Sequence, residues 1–231
     1  MEEMEYGSKS LSQTRDIRIE RSIKYKRIKR VTDFILAVLL LLAFGPLMLL
    51  IALGIKLHSP GPVLYRQQRI GKDGKTLEML KFRSMRLGSE NHLHKEHVQR
   101  LIQEDTCPED LGVKSLKLKS DPRITGLGRI LRKLSLDELP QFINVLRGEM
   151  SIVGPRPSMP YEYELYKEWH AQRLQVLPGL TGLWQVTAHN QVPFSEMVRI
   201  DLDYIERMSL WLDLKIMIRT PVEMLRGRGA G

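Results

Sequence analysis

Apolar residues are spread unevenly along this chain. Phe34 to Ile55, FILAVLLLLAFGPLMLLIALGI, is an uncharged run of 22 residues. As a single straight helix it extends about 33 Å, enough to cross a bilayer. No small-residue cleavage site follows it, so it does not read as a secretory signal. Gly45-Pro46 interrupts the run at its middle, and basic clusters flank both ends: Lys24 to Arg30 before, and Lys56, Arg66, Arg69 and Lys72 after. Positive residues prefer the cytoplasmic side, so both ends are expected on one face of the membrane. The chain then enters one leaflet, turns at Gly45-Pro46 and returns.

Beyond this run the pattern changes. Val63 to Ile70 and Lys75 to Phe82 flank Gly71-Lys-Asp-Gly74 and predict a β-hairpin with Asp73-Gly74 in the turn. Glu90 to Gln103 predicts an amphipathic helix through Leu93, Val98, Leu101 and Ile102. Leu139, Phe142, Ile143 and Leu146 repeat at helical spacing, and Pro140 restricts that helix to a start near Leu136 to Leu139. Tyr161 to Val176 and Ser195 to Met208 are read as helices, and Leu183 to Val186 as a short strand after the Pro178-Gly182 turn. Leu210 to Leu225 mixes apolar residues with Lys215 and Arg219, which suits a membrane interface. The expected class is α+β: a basic tail (1–28), a re-entrant helix-break-helix hairpin (29–58), and a mostly helical catalytic domain with a small β-hairpin and C-terminal interfacial helices (59–231). Residues 104–119 form an insertion to which the pattern assigns no role.

Charge narrows the partners. With 36 Lys and Arg against 27 Asp and Glu, the formal net charge is +9, which points to anions: nucleic acid, acidic lipid or phosphorylated substrates. Six basic residues and no acid lie between Arg21 and Arg30, each worth on the order of 1 kcal/mol beside anionic phospholipid. Cys107 is the single cysteine, which excludes an internal disulfide framework. His92, His94 and His97 sit among charged neighbours and read as a solvated helix face rather than a metal site.

The candidate chemistry lies between Leu134 and Pro157, LSLDELPQFINVLRGEMSIVGPRP. Asp137 and Glu138 stand at a predicted helix start, where free N–H groups favour anions. Taken alone, they read as ordinary first-turn acids, with Ser135 and Glu138 forming a capping box. Their surroundings argue for more. Arg123, Arg129, Arg132, Lys133, Arg147 and Arg156 supply far more positive charge than two acids need, as a phosphate substrate with a divalent metal requires. Two prolines around Arg156 fix its backbone.

KFRSM at Lys81 to Met85, SLDELPQFINVLRGEMSIVGPRP at Ser135 to Pro157, and PGLTGLWQV at Pro178 to Val186 together resemble the bacterial monotopic phosphoglycosyl transferases, from about Lys29 onward. The resemblance implies transfer of a sugar 1-phosphate from a UDP-sugar to polyprenyl phosphate on the cytoplasmic face of the bacterial inner membrane, with UMP released. This is the initiating step of a surface polysaccharide. It also implies Asp137 as nucleophile, Glu138 as Mg²⁺ ligand, and Lys81, Arg132 and Arg156 on phosphates, with Arg69 and Arg83 as secondary candidates. Glucose or galactose is the expected sugar, and an N-acetylated sugar the alternative. Membrane lipid is an expected partner and nucleic acid is not; a homodimer stays open. Two departures are visible. Gly45-Pro46 stands where Ser-Pro is common, and His189 stands where relatives often carry arginine, whose charge an imidazole of pKa about 6.5 replaces only in part. A membrane-tethered basic scaffold is the reading from another class; it accounts for the charge and the apolar run but not for the motifs.

Overall fold

In the computed structural model, which describes residues 23–86, 92–106, 123–188 and 192–225, the apolar run lies within one long helix, α1 (Ile23–His58). At 36 residues its axis is about 54 Å long. Lys29, Asp33 and Ala37 are buried at four-residue spacing, and Ile51 and Ile55 continue the stripe further on. Most of the remaining surface is uncovered: Leu39, Leu42, Leu49, Leu50, Leu53 and Leu57 are all more than half exposed. It is the one helix among the described residues long and apolar enough to cross a membrane. The tail expected over residues 1–28 lies outside the described residues up to Ser22, and Ile23 to Ile28 are already helical.

At Gly45-Pro46 a break was expected, yet the hydrogen-bonded helix runs through both residues. Pro46 removes one backbone donor without ending the helix, because the turns on either side are apolar and uncharged. Both halves of α1 nonetheless touch one body. Tyr25, Leu36 and Ala37 pack in the main core with Val145, Ile152 and Ile216. Met48, Ile51, Ala52 and Ile55 pack in a second cluster with Phe82, Leu127, Leu131, Leu136 and Leu139.

The first sheet is the hairpin expected from the sequence, β1 (Leu64–Ile70) and β2 (Thr76–Phe82), antiparallel with Arg66 opposite Leu80. Asp73 (φ 57°) and Gly74 (φ 73°) carry its turn. After α2 (His92–Glu104) and α3 (Gly126–Lys133), a 3₁₀ turn (Leu136–Glu138) leads to α4 (Gln141–Arg147). A second sheet, not foreseen, pairs β3 (Ser151–Val153) in parallel with β4 (Gly179–Thr181). Leu183 to Val186, expected as a strand, belongs instead to helix α7 (Leu183–Thr187). The strand lies one turn earlier because its partner is far away in sequence, which local periodicity cannot register.

Tyr161 to Val176, expected as one helix, is three short pieces: α5 (Pro160–Tyr163), α6 (Glu168–Ala171) and a 3₁₀ turn over Gln172–Gln175. Lys167 is extended (ψ 159°), and its N–H donates to His170 Nδ1 at 3.2 Å. That local bond replaces the helical one and starts a new helix.

Helices α8 (Phe194–Arg207) and α9 (Leu210–Leu225) close the core. Tyr204 is fully buried; its hydroxyl bonds Asp213 (2.8 Å) and the Val153 carbonyl (3.1 Å). Asp213 also receives Lys29 Nζ at 2.7 Å, and Asp33 accepts from Ser151 Oγ at 2.7 Å. Arg30 donates to Val145 O and Leu146 O at 2.5 and 2.8 Å. Lys29 and Arg30 therefore turn into the protein rather than toward lipid headgroups, because the buried carboxylates and the open carbonyls of α4 need donors there. On the opposite face of α9, Trp211, Leu214, Ile218 and Val222 are exposed.

Candidate active site

Asp137 and Glu138 occupy the 3₁₀ turn ahead of α4, whose N-cap is Pro140. Ser135 precedes them in the left-handed region (φ 53°) and makes no side-chain cap bond, so the capping box suggested by its spacing does not form. Leu136 and Leu139 anchor the turn in the cluster built around Ile51, Ile55, Phe82 and Leu131. The acids are thereby seated where α1 leaves its apolar stretch. Asp137 is only 8% exposed. Lys81 Nζ, at the end of β2, stands 2.8 Å from Glu138 Oε1.

Helix α4 is held along its length. Arg30 of α1 caps its C-terminal carbonyls, and Gly148 (φ 79°) leaves the guanidinium room, since a Cβ there would sit 3.2 Å from Arg30 Nη2. Midway, the buried Asn144 bonds β2 through Leu80 N–H and Glu78 C=O.

Two motifs distant in sequence form one unit. Gly154 N–H donates to Thr181 O (2.9 Å) and Gly179 N–H to Pro155 O (2.8 Å), so the Gly154-Pro-Arg-Pro157 loop lies flat on the Pro178-Gly-Leu-Thr181 turn. A Cβ at Gly179 would meet Gly154 N at 2.1 Å, and one at Gly154 would meet Leu177 O at 2.6 Å; only glycine permits this approach.

This loop presents Arg156 and is braced from several sides. Arg69 donates to Pro157 O at 3.0 Å, Arg173 to Arg156 O at 3.3 Å, and Glu162 lies 3.6 Å from the Arg156 guanidinium. Burial, then the neighbouring Arg156, lowers Arg69 to about 10, and Glu162 and Glu138 partly offset this. Arg69 thus responds to the Arg156 loop and, as the smallest of these influences, to Glu138. Behind that loop, Arg173 pairs with Asp201 in full burial. Desolvation pushes Asp201 up to about 6 against the pull of Arg173, which leaves the pair charged at neutral pH. Burial and the adjacent Glu162 raise the Tyr161 hydroxyl to about 12, so it stays a phenol.

A carboxylate pair with a lysine in contact with it lies beside the apolar helix, and a braced loop presents Arg156. Residues 24–227 match the bacterial sugar transferase family. The chain belongs to that family. It is 40% identical over 203 residues to an undecaprenyl-phosphate galactose phosphotransferase of Salmonella typhimurium, covering 88% of this chain and 41% of the relative. It is 42% identical over 227 residues to a UDP-glucose:undecaprenyl-phosphate glucose-1-phosphate transferase of Xanthomonas campestris (95% and 43%). It is 43% identical over 202 residues to the exopolysaccharide production protein ExoY of Rhizobium meliloti, covering 87% of each. The chain thus spans about two fifths of the length of some curated relatives and most of the length of others.

Within this bacterial sugar transferase, the residues expected from the sequence fare differently. Lys81 and Glu138 meet directly, Asp137 precedes Glu138 in the same turn, and Arg156 lies beside Glu162 on the loop that Arg69 braces. Arg132 is half-buried in the last turn of α3. Arg83 bonds the chain after α1: Nη1 donates to Pro60 O (2.7 Å), and Nη2 to Ser59 O (2.8 Å) and Ser59 Oγ (2.7 Å). It fixes the chain as it leaves α1. His189, Cys107 and most of the 104–119 insertion lie outside the described residues. Asn144, Glu162, Arg173 and Asp201 were not legible as site-supporting residues, since a polar residue in a helical pattern gives no sign of its burial.

Among the described residues no three His, Cys, Asp or Glu side chains gather as a metal cage. Adjacent carboxylates still suit Mg²⁺, which prefers oxygen ligands and commonly binds through one or two carboxylates plus substrate phosphates.

Proposed function

We propose that this protein transfers a hexose 1-phosphate from a UDP-sugar, glucose or galactose, to polyprenyl phosphate, releasing UMP, at the cytoplasmic face of the bacterial inner membrane. The observation that carries the reading is the Asp137-Glu138 turn at the foot of the apolar helix, with Lys81 2.8 Å from Glu138. The relatives named for galactose and glucose transfer to undecaprenyl phosphate support the substrate class.

In the proposed first step, a carboxylate oxygen of Asp137 attacks the phosphorus bearing the sugar. The bridging P–O bond breaks, and its electron pair leaves with UMP. In the second, a phosphate oxygen of the polyprenyl acceptor attacks the same phosphorus, and the Asp137 carboxylate departs unchanged. Like charges meet in both steps. Lys81, Arg132 and Arg156 offset that repulsion on the phosphates, and the Arg69, Glu162 and Arg173 contacts hold the Arg156 loop in place. Glu138, with Asp137 beside it, would hold Mg²⁺, which supplies charge neutralisation of the diphosphate. Arg83 acts by fixing the end of α1, and His189 supplies a sugar-side contact.

Two features favour a monotopic arrangement. Both halves of α1 pack on the same body, and among the described residues the leucine-rich surface between them is exposed. A helix that carried its far end through the bilayer would lose one of those two contacts. The apolar face of α9 then lies at the headgroup level.

Labelled UDP-sugar given without acceptor tests the mechanism. Label should remain on the wild-type protein as an acyl phosphate cleaved by hydroxylamine, and not on Asp137→Asn. Full turnover with acceptor but no label without it would favour direct transfer.

A further inference from the structure

Asn144 has no exposure to solvent, and its side chain bridges two elements. Oδ1 accepts from Leu80 N–H at 3.0 Å, while Nδ2 donates to Glu78 C=O at 2.7 Å and to Glu149 Oε2 at 2.6 Å. The Leu80 and Glu78 groups lie two residues apart on the edge of β2, where an added strand would place its own donor and acceptor. One amide takes the place of that strand.

The consequence falls on the neighbours. Lys81 follows Leu80 directly, and Glu138 lies on the turn that begins α4, six residues before Asn144. We infer that Asn144 is a positioning residue: by locking α4 to β2 at Glu78 and Leu80, it sets the register in which Lys81 meets Glu138. A slip of one residue along β2 would turn Lys81 to the other face of the strand. An apolar residue at 144 would fill the space, but would leave the buried Leu80 N–H without a partner and remove the donor to Glu78 C=O. The inference rests on Lys81 and Glu138 being the working groups proposed above.

The test uses the full chain in lipid nanodiscs, with Asn144→Ser, Asn144→Gln, Lys81→Gln and the two double variants. Asn144→Gln keeps an uncharged amide but displaces it by one methylene, so it serves where Asn144→Ser folds poorly. Thermal unfolding without substrate is read first. Asn144 and Lys81 share no hydrogen bond, so a merely structural role leaves most of the Lys81→Gln shift in Tm in place, though Leu80 lies between them. Positioning predicts that the Lys81→Gln shift falls to less than half in either Asn144 background.

Initial rates of UMP release from UDP-glucose and UDP-galactose with undecaprenyl phosphate are read second. Each Asn144 variant should lower kcat/KM at least tenfold with the same division between kcat and KM as Lys81→Gln, and each double should be no slower than Lys81→Gln within twofold. A Lys81→Gln shift left mostly in place overturns the inference, even if the wild type is active. An inactive wild type with coupled shifts overturns the proposed reaction and leaves the positioning intact. If neither Asn144 variant folds, the residue serves stability and the inference fails.

Discussion

Lys81 Nζ and Glu138 Oε1 lie 2.8 Å apart across 57 residues of sequence, and the pair remains partly open to solvent, at 18% and 34% exposure. An ion pair so placed contributes on the order of 1 kcal/mol, little enough for the diphosphate of the proposed donor to separate it. In the proposed reaction its value lies in holding a cation and a carboxylate ready at the same point.

Lys81→Met is therefore expected to lower kcat/KM at least 100-fold while lowering Tm by only about 2–4 °C. Glu138→Gln should raise the Mg²⁺ concentration needed for half-maximal rate. UMP-release kinetics over a Mg²⁺ titration, beside thermal unfolding, check both. Loss of activity in proportion to loss of fold would remove the pair from the chemistry.

Arg83 stands two residues from Lys81 and should behave in the opposite way. Its three hydrogen bonds go to Ser59 and Pro60. Arg83→Lys, whose single nitrogen lacks the planar fork that spans the Pro60 and Ser59 acceptors, should cost about 2 kcal/mol of stability. The donor KM should stay within twofold of wild type in the folded fraction. A KM raised tenfold at unchanged Tm would put Arg83 on the substrate.

Topology is open to a direct chemical test. After Cys107→Ser, single cysteines at Ser22 and Ser59 should both resist a membrane-impermeant thiol reagent in intact spheroplasts and react after lysis. Opposite labelling of the two would make α1 a spanning helix. Pro46→Leu, which restores the missing backbone donor, tests whether that residue keeps the chain on one face.

His170 is buried between Trp169, Tyr166 and Phe194. Burial, then the nearby Lys167 and Arg173, lowers its pKa from 6.5 to about 4. A depressed histidine stabilises the fold fully above its unfolded pKa. That contribution is lost as pH falls from about 6.5 toward 4, because the unfolded chain takes up the proton first. The loss reaches about 2 kcal/mol at pH 5. His170→Gln, which keeps an acceptor for Lys167 N–H, should lose less Tm than wild type between pH 7 and pH 5. Equal losses would show that other groups set the acid sensitivity.

Much of this protein is written locally in its sequence. The 22-residue uncharged run, the hairpin turning at Asp73-Gly74, the helix α9 and the Asp137-Glu138 turn ahead of Pro140 follow from periodicity, turn chemistry and the restrictions of proline, all of which act within a few residues. Tertiary structure decided which charges remain available. Lys29 and Arg30 belong to the same basic cluster as Lys26 and Arg27, yet Asp213 and the end of α4 draw the first two inward while the second two stay exposed. Lys81 and Arg83 are near neighbours, yet Lys81 meets Glu138 while Arg83, held by its N–H to Val63 O, bonds Ser59 and Pro60. The contact of Gly154 with Gly179 and the span of Asn144 across β2 likewise join residues far apart in sequence. A buried donor or acceptor must find a partner wherever the folded chain supplies one, and that partner is set by packing between distant segments rather than by the order of residues.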